Sequence, residues 1–312
     1  MTVKTQIESI TKPTSIALGV FDGVHIGHQA VIGEAVNGKD DGLIPIVFTF
    51  DTSGEKPEHK KGQETILTTS LKRQKMQKLG VSVVYEIPFD TVKDYSPEYF
   101  AEHILFSKLH AEKIVCGFDF RFGKNAAGDT ALLKQLCSKM GIEVVVVPPM
   151  MDRGQPVSST RIRHYLKEGD VVSANRLLGY EYSYDMVVVD GLKNGRKIGI
   201  PTINQEFDPG FLIPKFGVYA SKVTVDGKEL LGITNIGVKP TIQGTRNPLA
   251  ETYIIGFDQN LYGQKIPVSL FQYLREEQKF HNLEELSATV KKDIDRTKIL
   301  MKGKLKQYQA KF

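Results

Sequence analysis

The stretch Ser15–Val36, SIALGVFDGVHIGHQAVIGEAV, reads as a strand, a turn and a helix in immediate succession. Ile16, Ala17 and Leu18 form a short apolar run, Asp22-Gly23 is a turn signal, and QAVIGEAV carries helical periodicity. Between strand and helix, Gly19 to His28 packs three glycines and two histidines into ten residues. Such a turn presents backbone N–H groups at the positive end of the helix dipole, where phosphate is stabilised. Gly27 removes a Cβ where an anion must come close, and His25 and His28, three apart, can donate together to phosphate oxygens.

The same alternation continues to about Pro148. Short β-branched runs (IPIVFTF, VSVVYEI, KIVCGF, IEVVVVP) alternate with helical patterns (SLKRQKMQKLG, PEYFAEHILFSKL, TALLKQLCSKM). That βαβα rhythm predicts a doubly wound parallel sheet with helices on both faces, which binds ligands at the carboxyl ends of its strands. GVFDGVHIGH ends the first predicted strand and GFDFRFG the fourth. Two more helical patterns follow, STRIRHYLKEG and DVVSANRLLG, the second with Gly179 as a stop.

From Asp185 the rhythm changes to strands joined by turns: DMVVVDGL, FGVYASKVTV turning at Asp226-Gly227 into KELLGITNIG, then AETYIIGFDQNLYGQKIPVSLFQYL. This predicts a small antiparallel barrel or sandwich, with LEELSATVKKDIDRTKIL as one terminal helix. The boundary is placed between residues 182 and 183, giving domains 1–182 and 183–312, as the length of 312 residues also suggests.

Composition narrows the class. Apolar residues make up 41% and charged residues 25%, as in ordinary globular proteins. There is no apolar leader and no run long enough for a membrane span, so a soluble, cytoplasmic protein is expected. Cys116 and Cys137 are too few for a disulfide framework or a four-cysteine zinc site, and neither is read as functional. A net charge of +5 suits anionic small molecules better than nucleic acid. The densest basic run, Ser70–Gly80, carries an apolar stripe of Leu71, Met76 and Leu79 and reads as a helix with a solvated basic face.

Three motifs carry chemistry. H-x-G-H between strand and helix resembles the nucleotidylyltransferase signature, which favours nucleotide over a two-histidine metal site because no third ligand stands nearby. In PVSSTRIRHYL, Ser158, Ser159 and Thr160 stand at a helix N-cap with Arg161 and Arg163 just inside. Simple capping is one reading; cations in a first turn that prefers acids make a bound phosphate the other. Phe118, Phe120 and Phe122 alternate and on a strand would share one face as core, but the run exits a strand into a glycine-containing loop, so part of it forming an aromatic wall for a planar ring is the other reading.

Taken together, GVFDGVHIGH, GFDFRFGKNAAGD, SSTRIR, GRKIGIPTIN and ETYIIGFDQNLYG resemble, in order and over essentially the whole chain, the bifunctional riboflavin kinase/FMN adenylyltransferases, the prokaryotic FAD synthetases. The resemblance implies that the first half transfers AMP from ATP to FMN and releases pyrophosphate. His25 and His28 would hold the α-phosphate over a floor of Gly19, Phe21 and Gly27, Ser159, Thr160 and Arg161 would grip ATP phosphates, and Asp119, Phe120 and Phe122 would form the flavin side. In the second half it implies a riboflavin kinase: a glycine loop of Gly191, Gly195, Arg196 and Gly199 over ATP, Thr202 and Asn204 on Mg²⁺-ATP, and Glu251 beside the riboflavin 5′-hydroxyl. Thr202 and Asn204, two apart on a strand, face the same way, and their oxygens suit Mg²⁺. The chain departs from the family's usual residues at Asp190, Asn194, Tyr253 and the segment FDTSGEKP. Two rivals remain at this point: one active half only, or a flavin-binding regulator that contacts RNA.

Overall fold

A computed structural model of the chain describes residues 1–51, 62–191, 199–240 and 246–309. It contains two compact units, Met1–Ser159 and Thr160–Phe312.

In the first unit the elements run β1 (Thr2–Lys4), β2 (Thr14–Leu18), α1 (Ile26–Asn37), β3 (Ile44–Phe50), α2 (Thr69–Lys78), β4 (Val83–Ile87) and the short α3 (Phe89–Val92). Next come α4 (Pro97–Tyr99), continued by wider helical turns over Phe100–Lys108, then β5 (Ala111–Gly117), α5 (Thr130–Ser138) and β6 (Glu143–Val147). A hairpin of β7 (Met151–Asp152) and β8 (Gln155–Pro156) closes the unit. Six strands form one parallel sheet in the order β1-β4-β3-β2-β5-β6. Continuous apolar runs suit strands covered on both faces: Ile16, Ala17 and Leu18 of β2 and Ile46, Val47 and Phe48 of β3 are at most 2% exposed. The edge strand β1 was not expected, because three residues of TVK are too short to show a period.

The order of strands fixes where a ligand fits. From β2 the chain builds outward through β3 and β4, and β5 then returns to pair with the other edge of β2. The carboxyl ends of β2 and β5 therefore flank the switch point of the sheet, the place where open α/β sheets leave a crevice. Both loop motifs of the first half begin there, after Leu18 and after Gly117.

The second unit begins with α6 (Ser159–Lys167), whose first residue closes unit one, and α7 (Val171–Leu178), capped by Asp170 and stopped by Gly179 at φ 76°. By compactness both helices group with the barrel rather than the sheet. Strands β9 (Tyr182–Val189), β10 (Thr202–Glu206), β11 (Gly217–Val225), β12 (Lys228–Pro240), β13 (Arg246–Ile254) and β14 (Lys265–Arg275) close an antiparallel barrel in the order β10-β13-β12-β11-β14-β9. The Asp226-Gly227 turn joins β11 to β12 with φ of 48° and 76°, the left-handed pair that a two-residue hairpin requires. The last helix, α8 (Leu283–Gln309), packs on β11 and β12, and Asp293 on it takes Arg275 through Nε (3.0 Å) and Nη2 (2.9 Å).

Among the described residues no helix is long and apolar enough to cross a membrane, and no cluster of His, Cys, Asp or Glu is arranged to hold a metal ion.

Candidate functional sites

The loop after β2 is built around its own aromatic rings. Phe21 adopts φ 54° and is 2% exposed. A Cβ on Gly19 would lie 2.9 Å from its ring, so glycine there lets Phe21 fold beneath the loop. Phe21 meets His28 edge-on at 5.4 Å. His25 is the N-cap of α1: its Nδ1 accepts the backbone N–H of His28 at 3.2 Å. That bond leaves Nε2 as the proton-bearing nitrogen of the neutral ring. The two imidazoles stack, with centroids 3.5 Å apart and planes 17° apart. A Cβ on Gly27 would crowd the His25 ring at 3.2 Å. His25 is buried and His28 half-buried, at the positive end of a helix with no acid in its first turn.

Asp22, which the sequence reading passed over as half of a turn, ties this loop down. Its carboxylate accepts the N–H of Ile66 (3.0 Å), and its carbonyl accepts the hydroxyl of Ser159 (2.9 Å). Ser159 is thereby 8% exposed and joined to the histidine loop. Thr160 is exposed, and Arg161 lies over Tyr165 with its guanidinium carbon 5.9 Å from the ring centre.

The segment after β5 leaves the strand at once, as its glycine-containing loop predicts. Phe118, Phe120 and Phe122 do not share a strand face, because β5 stops at Gly117 and the chain turns at once, with Phe120 N–H bonded to Gly117 O. Phe118 is half exposed, Phe120 stacks on Phe122 at 5.8 Å, and Phe122 sits in the sheet core against Phe100. Asp119 is exposed and lies against Gly117 at the mouth of the switch point. Cys116 and Cys137 are fully buried, and burial pushes their thiols up to about 12 and about 11.

In the barrel, register gathers the second set. Asn204 on β10, Glu251 on β13 and Asn235 on β12 stand directly opposite one another and share a face. Thr202, Tyr253 and Ile233 form the next row on that face. Asn204 is 5% exposed, and among the described residues its Oδ1 has no hydrogen-bond partner. A Cβ on Gly191 would fall 2.6 Å from Asn204 Cγ, so the chain closes over the asparagine only through glycine. Gly199 takes φ 70°, whereas Gly195 and Arg196 lie outside the described residues. Beside this row opens a cleft of about 420 Å³, lined by Gly199, Pro201 and Thr202 on one side and by Phe257, Leu261 and Tyr262 on the other. The sequence reading gave Phe257–Tyr262 no role, though Gly256 and Gly263 bracket it as a loop. It also missed Asn235, whose Nδ2 donates to Glu277 at 3.0 Å, since only register reveals it.

Comparison with known proteins follows the same division. The family described as FAD synthetase matches residues 7–161 and that described as riboflavin kinase matches residues 178–301. The chain is 38% identical over 283 residues to the bifunctional riboflavin kinase/FMN adenylyltransferase of Listeria monocytogenes, with 89% of each chain covered. It is 35% identical over 288 residues to the Bacillus subtilis protein of the same name, again with 89% of each covered. A solved Streptococcus pneumoniae structure named macrolide-efflux protein superposes with a TM-score of 0.83 at 28% identity, over 96% of this chain and 99% of that one.

Proposed function

The chain belongs to the bifunctional riboflavin kinase/FMN adenylyltransferase family, and on that premise we propose how its two sites make FMN from riboflavin and then FAD from FMN, each step using ATP. The observation that carries this reading is the separation of phosphate-handling groups into two sets in two compact units, His25 with His28 in one and Asn204 with Glu251 in the other.

In the first unit an oxygen of the FMN phosphate attacks the α-phosphorus of ATP, and the bond to the β-phosphate oxygen breaks to release pyrophosphate. The attacking phosphate is already ionised, so the site needs alignment and charge stabilisation rather than a strong base. His25 and His28 donate to the α-phosphate over Gly19 and Gly27, with Phe21 supporting the loop from beneath. Ser159, bonded to the Asp22 carbonyl, holds the remaining phosphates, while Asp119 and Phe120 face the flavin with Phe122 behind them. We assign this activity to residues 1–182 and the kinase to residues 183–312.

In the kinase, the riboflavin 5′-hydroxyl oxygen attacks the γ-phosphorus of ATP, ADP leaves, and the hydroxyl proton is released as the phosphate ester forms. Glu251 orients the hydroxyl, which is the main demand of a loose phosphoryl transition state. Gly191 and Gly199 flank the phosphates in this reading, and Gly195 and Arg196, which lie outside the described residues, are assigned to the same ATP-binding set. Thr202 and Asn204 would hold Mg²⁺: the buried Oδ1 of Asn204, without a hydrogen-bond partner among the described residues, and the hydroxyl two residues away are hard oxygen donors on one face. Bound there, the ion would neutralise charge on the β- and γ-phosphates. An ATP-dependent cofactor synthesis of this kind supports a cytoplasmic location for the enzyme.

The test is to incubate purified protein with riboflavin, Mg²⁺ and ATP, or with FMN, Mg²⁺ and ATP, and to separate the flavins by chromatography. Both FMN and FAD are expected from riboflavin. FMN alone would leave a kinase, FAD formed only from supplied FMN would leave an adenylyltransferase, and neither product would favour the regulator.

A further inference from the structure

Helix α2 was expected to carry a solvated basic face, but of its basic residues only Lys78 is exposed, with Arg73 and Lys75 partly buried. Lys72 is buried: it is 4% exposed, between the buried Leu71 and the core residue Met76. Burying an ammonium is costly unless the charge is put to use, and an apolar side chain would fill the same space without that penalty.

Its contacts lead to the histidine loop. Lys72 Nζ donates to Thr49 Oγ1 at 3.0 Å near the carboxyl end of β3. Thr49 is fully buried and donates its own hydroxyl proton to the carbonyl of Val20 at 2.9 Å. Val20 directly precedes Phe21, and Phe21 and Val24 hold φ of 54° and 36°, conformations that non-glycine residues keep only under restraint. The loop is therefore pinned at two nearly adjacent residues, at Val20 through Lys72 and at Asp22 through Ile66 and Ser159.

Charged groups surround the ammonium from each neighbouring element. Glu86 on β4, Asp22 in the loop and Asp51 past β3 favour the charged form, and Arg73 on α2 itself opposes it. Glu86 is already bound through one oxygen by Arg73 Nε at 2.8 Å and by Arg73 Nη2. Burial nonetheless outweighs the acids and holds Lys72 below the ordinary lysine value of 10.5.

We propose that Lys72 is a positioning residue for adenylyl transfer: through Thr49 it fixes the Val20 carbonyl, and with it the left-handed excursion that sets His25 and His28 on the α-phosphate. The inference rests on the adenylyl-transfer reading above. The role rests on the Nζ–H donated to Thr49, and the neutral amine donates more weakly than the ammonium, so FAD formation declines in part as pH rises through the folded-state pKa of Lys72. Stability moves the other way. Between that pKa and the unfolded value the folded state binds fewer protons, so this group's contribution to stability grows with pH. A purely structural lysine gives no decline in turnover while the fold becomes firmer.

The experiment measures FAD formation from supplied FMN and ATP in wild type, Lys72→Met, Thr49→Val and the double variant, with circular dichroism and thermal melts alongside. Wild-type turnover establishes the reaction independently of the variants. The expected result is a loss in kcat of about tenfold or more for each single variant, KM for ATP changed less than about threefold, and a double variant no worse than the poorer single. Wild-type kcat should show an alkaline limb at pH values where the melt has not fallen. Folded single variants with wild-type kcat, or losses that multiply in the double variant, would overturn the proposal. If Lys72→Met does not fold, Thr49→Val and the wild-type pH profile decide it in the same way.

Discussion

The imidazole of His25 lies flat on that of His28 at 3.5 Å while its Nδ1 caps the helix by accepting the His28 N–H, so one ring serves both fold and site. The two histidines should therefore fail differently. His28→Ala removes a proposed phosphate donor and is expected to lower FAD formation by about a hundredfold or more, leaving FMN formation intact. His25→Ala removes a donor and a cap, adding a loss of about 1 kcal/mol. His25→Asn restores the cap without the ring: the melting temperature should recover and the activity should not. Activity lost only in proportion to unfolding would reduce both residues to structural roles.

Glu251 gives the reciprocal test. It faces Asn204 across the β10–β13 pair, in the unit that does not contain the histidines. Glu251→Gln keeps the shape of the side chain and removes its charge. FMN formation should fall by about a hundredfold while FAD formation from supplied FMN is unchanged. Equal loss of both activities in a folded variant would defeat the two-site assignment.

The buried thiols make a prediction about the sheet. Cys116 and Cys137 titrate near 12 and 11 against an ordinary 9, because burial opposes the thiolate. Both should resist iodoacetamide at pH 8 in the native protein and react once denaturant is added. With folded values raised, each thiol's contribution to stability is complete below pH 9 and is lost as pH climbs towards the folded value. Urea midpoints of the first unit followed from pH 8 to 10 should fall through this contribution, and less steeply in a Cys116→Ala, Cys137→Ala variant.

How far the sequence foretold these features depended on range. The parallel sheet was legible because β2, β3, β4 and β5 are apolar runs set between helical periods, and the β11–β12 hairpin because Asp226-Gly227 admits few other conformations. The loop that carries His25, Gly27 and His28 between strand and helix was legible because these residues are neighbours in the chain. What escaped were long-range facts. Phe118, Phe120 and Phe122 were open between core and aromatic wall, and a turn bonded to Gly117 sends them to three environments. Lys72 looks like its basic neighbours until β3 supplies Thr49, and Asn235 acquires meaning only from its register with Glu251. Propensity reads local conformation, whereas burial of a charge and cross-strand pairing are decided by partners distant in sequence.

Gly191 and Gly199 separate two reasons for glycine in the kinase. A Cβ at Gly191 meets the carboxamide of Asn204, itself buried and close-packed, so Gly191→Ala must displace the proposed Mg²⁺ donor or the chain above it. At Gly199 a Cβ would meet no atom within 4 Å among the described residues and the constraint there is φ 70°, so Gly199→Ala meets backbone strain of about 1–2 kcal/mol. Gly191→Ala should therefore raise the Mg²⁺ concentration needed for half-maximal FMN formation and cut kcat by about tenfold or more, with FAD formation unaffected. Gly199→Ala should lower the melting temperature of the barrel while leaving the Mg²⁺ requirement within about twofold of wild type. A Gly191→Ala enzyme with normal Mg²⁺ dependence would mean that Asn204 does not hold the metal.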